Sequence, residues 1–349
     1  MRNFNCCLAA MLLTTAMAVH AQECIAGADV SFLRQMESKG IVFKDDGVPL
    51  PGLQILKNHG YTWIRLRILV DPIRLPNDLD YTVASAKAAK QLGLKLLLDF
   101  HYSDDWADPG HQSTPRAWAK LNHKELEERV FTYTRDTIEA FRKQQVLPDM
   151  VQVGNEVTSG MLWPDGKLPD HWDNFAALMS AGIRGVYAGS GHDPRPRIMI
   201  HIDKGGNQEA TQWFFDNLGR YHVPYDVIGQ SYYPWWQGSL SDLRRNLTFL
   251  GKTYHKDVMV VETAYDWRTG EEKAGKPIFP ETPEGQRAFL AALKETVCAT
   301  HEGGGIGIFW WEPFAEGAIA KRSLFDDDHN ALPAIHVFDT PKSGVTQAP

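Results

Sequence analysis

The chain has 349 residues, of which 43% are hydrophobic and 23% are charged, a composition typical of a globular protein. Its 36 basic and 43 acidic residues give a net charge of −7, and no cluster of basic residues is present that would neutralise phosphates. We therefore expect no nucleic-acid partner, and a strongly anionic polymer such as pectate is disfavoured as a ligand.

The first 21 residues have the pattern of an export signal. Arg2 lies near the start, an apolar run extends from Cys7 to Val19, and Val19-His20-Ala21 has the form of a small-residue cleavage site. We expect residues 1–21 to be a signal peptide and the mature chain, beginning near Gln22, to be secreted or extracytoplasmic, in the periplasm or at the cell surface. No later segment approaches the length of a transmembrane span.

Two cysteines remain after removal of the predicted signal, Cys24 and Cys298. An oxidising compartment would allow them to form a disulfide, but the sequence does not give the distance between them, so paired and free thiols both stay open. Lipid attachment at Cys24 is a further alternative, although Gln22 and Glu23 are poor residues to precede a lipidated cysteine.

Apolar runs alternate with helical patterns through the whole chain, which is typical of repeated βαβ units. Eight runs are predicted as buried parallel strands. We therefore predict a single (β/α)8 TIM barrel of class α/β that spans residues 22–349, with long loops on its catalytic face. The predicted strands are Ile25–Val30, Thr62–Leu69, Leu94–Phe100, Met150–Val153, Arg197–His201, Val227–Ser231, Val258–Glu262 and Ile306–Trp311.

Three helices have recognisable start signals. Asp78 is a predicted N-cap, Asn122 and Glu125 form a capping-box pattern, and Thr282 precedes a proline at the first helical position. The apolar face of the first of these helices is predicted to contain Tyr81, Ala84, Ala88 and Leu92.

Two acids end two of the predicted strands. Glu156 follows Asn155 directly after the fourth strand, and Glu262 ends the seventh. The carboxyl ends of barrel strands form the catalytic face, and a pair of carboxyl groups is what glycoside hydrolysis requires. A lone glutamate at such a position would more often be structural, but the two acids together, beside an amide, favour catalysis. Asn155 is suited to donate to a sugar 2-hydroxyl.

The two acids must differ in charge, one protonated through burial and the other ionised beside positive or hydrogen-bonding neighbours. Arg65 on the second strand and Tyr232 after the sixth are the candidates to hold Glu262 as a carboxylate. A barrel arginine more often belongs to a structural ion-pair network, so the assignment of Arg65 depends chiefly on the family resemblance given below.

Aromatic residues are concentrated at the predicted catalytic face. Indole rings stack on the apolar faces of sugars, so this bias indicates a groove for an uncharged polysaccharide. The tryptophans in question are Trp106, Trp163, Trp235, Trp236, Trp267, Trp310 and Trp311, of which Trp311 is the strongest single candidate.

A cluster of acids and histidines follows the third strand and raises the alternative of a metal site. Asp99 and His101 share one face of an extended strand, but only His201 is an obvious further ligand on another strand. We therefore expect Asp99 and His101, with Tyr102, to bind sugar, and we expect no catalytic metal.

Eight short motifs follow one another along nearly the whole mature chain. They are Gly27-Ala28-Asp29-Val30-Ser31, Arg65-Leu66-Arg67, Asp99-Phe100-His101-Tyr102-Ser103-Asp104, Trp106-Ala107-Asp108-Pro109, Gly154-Asn155-Glu156-Val157, Tyr233-Pro234, Val261-Glu262-Thr263 and Trp311-Glu312-Pro313. Taken together and in this order, they resemble glycoside hydrolase family 53, the endo-β-1,4-galactanases of clan A. The third-strand motif is the most specific of them, because Asn-Glu after the fourth strand occurs across the clan.

The resemblance implies a retaining mechanism with Glu156 as acid/base and Glu262 as nucleophile, acting on the β-1,4-galactan side chains of pectin. It implies that Asn155 contacts the 2-hydroxyl and that Trp311 forms the floor of the subsite before the cleaved bond. Arg65, Trp106 and the remaining candidates are expected to bind substrate. They are Asp99, His101, Tyr102, Tyr232 and Trp235.

Bacterial members of the family often carry calcium on an Asp-x-Asp-x-His-x-Asn run after the seventh strand. The loop from Tyr265 to Pro283 has no such run, so we expect no cofactor there, and only the acidic turn Asp326–Asn330 offers a substitute calcium site.

Two alternatives remain open from the sequence. Another clan A glycanase, acting on mannan, xylan or glucan, would share the acid pair. A noncatalytic glycan-binding barrel is disfavoured, because a binding protein needs no such pair. We expect a monomer.

Overall fold

The computed structural model describes residues 24–270, 277–300 and 304–340, so the predicted signal peptide, residues 1–21, lies outside the described residues. Eight parallel strands close into one barrel in chain order, which confirms the predicted (β/α)8 architecture. Each strand begins and ends within one residue of its predicted limits. The strands are β1 Ile25–Asp29, β2 Trp63–Ile68, β3 Lys95–Phe100, β4 Met150–Val153, β5 Arg197–Ile202, β6 Val227–Ser231, β7 Asp257–Thr263 and β8 Gly305–Trp311.

Helices cover the outside of the barrel between successive strands. The predicted caps are present: Asp78 accepts from the amide of Tyr81, Asn122 and Glu125 form a complete capping box, and Thr282 accepts from the amide of Gly285. The helices are α1 Leu33–Ser38, α2 Gly52–Asn58, α3 Leu79–Gln91, α4 His123–Lys143, α5 Trp172–Ser190, α6 Gln208–Gly219, α7 Leu240–Tyr254 and α8 Pro283–Cys298.

The predicted apolar face of α3 is wrong by about one position. The structure buries Thr82, Ser85, Ala86 and Ala89, and leaves Tyr81 and Ala84 half-buried. The hydroxyls of Thr82 and Ser85 bond to carbonyls one turn earlier, which satisfies them without water. Small residues therefore face the barrel, and Tyr81 reaches across to donate to the carbonyl of Ser31.

Cys24 and Cys298 are joined in a disulfide, with their Cα atoms 5.7 Å apart. The bond ties the residue before β1 to the last residue of α8, at the end of the barrel opposite the carboxyl ends of the strands. This pairing settles the alternative that the sequence left open. Among the described residues, none of the helices combines the length and apolar character needed to cross a bilayer.

The long loops lie after the strands, as predicted for a barrel with its site at that face. The loops after β3 and β4 run to α4 and α5 and hold short helical turns at Arg116–Trp118 and Val157–Ser159.

Candidate active site

The barrel interior changes from apolar to charged along the strands. At its lower end, the interior cluster contains Trp63 of β2, Leu97 of β3 and Met199 of β5. Side chains two residues further along a strand share the same face, so Arg65, Asp99 and His201 form the next interior layer. The full lower cluster is Trp63, Leu97, Met150, Met199, Val227, Met259, Val261, Ile306 and Phe309.

Arg65 is the centre of the charged layer and is 1% exposed. Its guanidinium donates to Asp29 at 2.9 Å, to Asp99 at 2.8 Å and to Glu262 at 3.1 Å, so it links three buried carboxylates. It also donates to Oδ1 of Asn155 at 2.7 Å. Burial alone would lower the pKa of Arg65, but the three acids raise it, so the guanidinium is charged.

Glu262 points into the barrel because β7 contains a bulge. The register between β6 and β7 shifts after Gln230, so that Val260 pairs with Gln230 but Glu262 pairs with Ser231. Val261 is the extra residue, and it belongs to the interior cluster as well. Regular alternation would turn Glu262 outward, and the bulge turns it back toward Arg65.

Both oxygens of Glu262 have donors. Tyr233 donates to Oε1 at 2.9 Å, and Arg65 donates to Oε2 at 3.1 Å. Burial raises the pKa of Glu262, and Arg65 and the Tyr233 hydroxyl oppose that shift by stabilising the carboxylate.

Glu156 has a different environment. Its Oε1 accepts from Ser231 at 2.5 Å, and it has no cationic partner in direct contact among the described residues. Its backbone is left-handed, with φ 48° and ψ 49°, a conformation that costs a non-glycine residue about 1–2 kcal/mol. The pKa of Glu156 lies well above its usual range because of burial, with the charges of Glu262 and Asp203 adding to the shift.

The two acids lie close together across the barrel mouth. An oxygen of each carboxyl group and a ring nitrogen of His201 all lie within 4.8 Å of one another. Retaining glycosidases hold their carboxyl groups roughly 5–5.5 Å apart, whereas inverting enzymes leave about 6.5–9.5 Å for a water molecule. The short approach fits the retaining geometry.

Aromatic rings line the cleft above the acids. Trp106 is 39% exposed and lies 6.4 Å from Trp311, centroid to centroid. Trp236 is 54% exposed and packs 5.5 Å from Tyr233, whose hydroxyl contacts Glu262. These exposed rings are the surface on which sugars would stack.

Other predicted cleft tryptophans are structural. Trp235 is 3% exposed and stacks on Tyr265 at 5.2 Å, so the prediction that it binds substrate is corrected. The indole nitrogens of Trp163 and Trp267 donate to backbone carbonyls and anchor the loops that carry them, and that of Trp310 ties β8 to the carbonyl of Arg322.

Two predicted tyrosines point away from the site. Tyr102 is 1% exposed, and its hydroxyl bonds to Thr134 of α4, between the barrel and its helices. Tyr232 is fully buried and donates to the carbonyl of Gly238. The predicted partner of Glu262 was therefore wrong by one residue, because Tyr233 has the side chain that faces the interior.

Asp99 and His101 support the site from below instead of binding sugar. Asp99 is fully buried and accepts from Arg65, from Gln152 and from His101. The amide of Ala107 donates to Nδ1 of His101 at 2.9 Å, so Nε2 is the protonated nitrogen and donates to Asp99. Both ring nitrogens are used, which corrects the expectation of sugar contact.

Four further residues of the site were not among the predicted set: Gln152, His201, Ser231 and Tyr233. The sequence held a signal for three of them. Gln152, His201 and Ser231 follow the interior residues Met150, Met199 and Gly229 by two positions, so the period of the strands places them on the interior face. Tyr233 lies beyond the end of β6, where that period no longer applies.

The acidic turn Asp326–Asn330 does not have the form of a calcium site. Oδ1 of Asp326 accepts from the amides of Asp328 and Asn330, each at 2.9 Å, and so closes the turn itself. The carboxylate of Asp327 pairs with Arg268. Among the described residues, the acids and His329 of this turn do not bring three ligand atoms within 4.8 Å of one another, as a calcium site would need to do.

Comparison with known proteins agrees with this geometry. The family model of glycosyl hydrolase family 53 matches residues 25–338. An arabinogalactan endo-beta-1,4-galactanase of Cellvibrio japonicus is 36% identical over 351 residues, covering 92% of each chain. A solved fungal beta-1,4-galactanase has 32% identity and a TM-score of 0.84, covering 90% of this chain and 98% of its own. The family 53 catalytic domain of Ignisphaera aggregans has 34% identity and a TM-score of 0.83, covering 90% and 95%. With an acid pair at the carboxyl ends of β4 and β7, this chain belongs to glycosyl hydrolase family 53.

Proposed function

We propose that this protein is a secreted endo-β-1,4-galactanase that cleaves galactan and arabinogalactan side chains of pectin with retention of configuration. The observation that carries the proposal is the approach of Glu156 and Glu262 to within 4.8 Å at the ends of two parallel strands. The named galactanase relatives supply the substrate class, and an uncharged polymer suits a chain of net charge −7 without basic clusters.

The environments of the two acids assign their roles. Glu262 is held by Arg65 and Tyr233, which stabilise a carboxylate, so Glu262 is the nucleophile. Glu156, without a cation in contact and with a pKa well above its usual range, is the proton donor and later the base.

The first step forms a bond between Glu262 and the anomeric carbon, while Glu156 gives its proton to the departing sugar. Water then attacks the anomeric carbon, Glu156 takes the water proton, and the bond to Glu262 breaks. Two substitutions at the same carbon leave the β configuration unchanged.

Asn155, Trp106 and Trp311 are the proposed substrate contacts. Asn155 is 4% exposed, and its amide nitrogen donates to the carbonyl of Ala107 at 2.8 Å, which leaves its second N–H for the 2-hydroxyl. Arg65 acts on substrate indirectly, through Asn155 and Glu262.

The predicted signal peptide supports export, and the Cys24–Cys298 disulfide is typical of an oxidising compartment. We propose that the enzyme acts as a monomer, since one chain supplies both acids and their hydrogen-bonding partners.

The test is digestion of linear β-1,4-galactan, with mannan, xylan and glucan in parallel. We expect oligosaccharides from galactan alone, and NMR of the first products should show the β anomer before mutarotation. Activity restricted to mannan, xylan or glucan would contradict the assignment of galactan as the substrate. An α anomer as the first product would contradict the retaining mechanism. Glu262→Gln should lose activity but still bind oligosaccharide, which would show that Glu262 serves catalysis and that the protein is not a noncatalytic glycan-binding barrel.

A further inference from the structure

A chain of hydrogen bonds leads from Glu156 into the barrel. Ser231 Oγ lies 2.5 Å from Oε1 of Glu156 and 2.8 Å from Nε2 of His201. His201 is fully buried, and Nδ1 on its other side lies 3.1 Å from Nε2 of Gln152 and 3.0 Å from Oδ1 of Asn155. The pKa of His201 is well below its usual range, chiefly through burial, so the ring is neutral and carries one N–H.

The two amides next to His201 have fixed orientations. The nitrogen of the Gln152 amide donates to Asp99 at 2.6 Å, and its oxygen accepts from Arg65 at 3.3 Å. The oxygen of the Asn155 amide accepts from Arg65, and its nitrogen donates to the carbonyl of Ala107. Nδ1 of His201 therefore faces one donor and one acceptor, and either tautomer of the ring is satisfied on that side.

The charge of Glu156 decides between the tautomers. A carboxylate only accepts hydrogen bonds, so Ser231 must donate its single proton to Glu156 when that acid is ionised. Nε2 of His201 must then be the donor to Ser231, and Nδ1 accepts from Gln152. Only this direction gives both contacts of the Ser231 hydroxyl a donor and an acceptor while Glu156 is a carboxylate. The second N–H of Gln152 is shared between Nδ1 of His201, Oδ1 of Asn155 and the carbonyl of Gly154.

Protonation of Glu156 allows two arrangements. Either the proton sits on Oε2 and each hydrogen bond between Glu156, Ser231 and His201 keeps its direction, or it sits on Oε1 and each of these hydrogen bonds reverses. Reversal moves the ring proton of His201 from Nε2 to Nδ1, and a ring with no exposed surface has no water at hand for that exchange. Oε2 of Glu156 accepts no hydrogen bond from the described residues, so it is the oxygen left for substrate.

We propose that His201 and Ser231 are positioning residues that keep Oε1 of Glu156 as a hydrogen-bond acceptor throughout the reaction and so confine the transferred proton to Oε2. In the first step the Oε2 proton passes to the glycosidic oxygen as its bond to the anomeric carbon breaks and the bond to Glu262 forms. In the second step a water proton returns to Oε2. This inference rests on the proposed role of Glu156 as acid/base.

The charges that face Glu156 come from two other strands and from the residue after β5. Glu262 on β7 and Asp203 after β5 disfavour its ionisation, and Arg65 on β2 favours it less strongly. Asp203 accepts from Thr158, on the turn that follows Glu156, and pairs with Lys204 at 2.9 Å. Ser231 donates directly to Glu156, and its hydrogen bond lowers the pKa of that acid.

Ser231→Ala tests the proposal with aryl oligogalactosides whose leaving groups range from dinitrophenol to phenol. We expect kcat/KM on galactan and on the phenyl substrate to fall about tenfold, and on the dinitrophenyl substrate to change by less than about twofold. A dinitrophenolate departs without proton donation, so this selectivity indicates a defect in proton donation by Glu156 and not a general loss of structure. Equal losses on all substrates would overturn the proposal.

The pH profile gives a second readout. Loss of the Ser231 donor raises the pKa of Glu156, so the high-pH limb of kcat/KM should move to higher pH, by about half a unit to one unit. Ser231→Thr keeps the hydroxyl and should restore both the limb and the activity on phenyl substrates. His201→Leu should resemble Ser231→Ala, and the double variant should be no worse than either single variant, because His201 acts through Ser231. An unshifted limb, or additive losses, would contradict the inference.

A measurement on the unaltered enzyme keeps the test independent of whether these variants fold. NMR of protein labelled with ¹⁵N in histidine should show His201 protonated at Nε2 and unprotonated at Nδ1, at pH values both below and above the titration of Glu156. A proton at Nδ1, or a tautomer that changes as Glu156 titrates, would overturn the proposal. Azide should restore activity to Glu156→Ala on the dinitrophenyl substrate whatever the result for His201, so failure of the positioning role and failure of the acid/base assignment are distinguishable.

Discussion

The hydroxyl of Tyr233 donates to Oε1 of Glu262 at 2.9 Å, so the segment that follows β6 is joined to the end of β7 at the carboxyl group of the proposed nucleophile. This contact depends on the bulge that turns Glu262 inward, because Ser231 and Glu262 become partners in register and Tyr233 follows Ser231 by two residues. With Arg65 on Oε2, the carboxylate is fixed at both ends.

Tyr233→Phe should lower kcat/KM on galactan by about 10-fold to 100-fold, because the hydroxyl both orients and stabilises the attacking carboxylate. Loss of a donor to a carboxylate raises its pKa. Since Glu262 must be ionised to attack, the low-pH limb of kcat/KM should move to higher pH. The measurement is a pH–rate profile of variant and wild type.

Tyr232→Phe is the matched control, since the Tyr232 hydroxyl donates to the carbonyl of Gly238 and not to either acid. Its pH profile should be that of the wild type. A shifted low-pH limb in Tyr232→Phe, or an unshifted one in Tyr233→Phe, would contradict the assignment of Tyr233 as the partner of Glu262.

Arg65→Lys should abolish most activity and destabilise the fold. One ammonium group cannot reach Asp29, Asp99 and Glu262 together, so buried carboxylates lose their compensating charge, and the free energy of unfolding should fall by about 3 kcal/mol. Urea unfolding measures the change.

Arg268→Lys serves as the control for Arg65→Lys, because Arg268 pairs with Asp327 at the surface. Exposed ion pairs contribute less than about 1 kcal/mol, so its unfolding curve should overlap that of the wild type. Equal effects of the two substitutions would show that the buried network does not stabilise the barrel.

The barrel itself was predictable because parallel strands covered on both sides are continuous apolar runs, and capping residues such as Asp78 and Asn122 mark where helices begin. The acid pair was predictable for a related reason. Glu156 and Glu262 stand where apolar runs stop, and the closing of the barrel brings all strand ends to one face.

The details that failed concern the direction of side chains. The bulge has no signature in the sequence of β7, and regular alternation would point Glu262 outward. The inward direction of its side chain therefore could not be predicted from the sequence. Tyr232 and Tyr233 are adjacent, and only the path of the chain after β6 decides which of them faces Glu262. Asp99 and His101 were placed on the correct face, but their partners Arg65, Gln152 and Ala107 come from other strands and loops.

Trp106→Ala should raise KM for galactan about fivefold with a small effect on kcat, because Trp106 offers a stacking surface in the cleft without contacting either acid. Trp213→Ala is the control. Trp213 is 42% exposed, similar to Trp106, but it lies on the outer helix α6 against Trp172. A larger rise in KM for Trp213→Ala than for Trp106→Ala would show that galactan binds outside the predicted cleft.

The double variant Cys24→Ser/Cys298→Ser should unfold at a lower temperature while keeping its activity at room temperature. The disulfide closes most of the chain into one loop and restricts the unfolded state, so its loss should cost about 2–5 kcal/mol. It lies at the opposite end of the barrel from Glu156, so kcat on galactan should not change. Calorimetry with and without reductant provides the control, since reductant should lower the Tm of the wild type toward that of the variant and leave the variant itself unaffected. A wild-type Tm that does not respond to reductant under denaturing conditions, together with a variant of equal Tm, would show that the bond does not stabilise the enzyme.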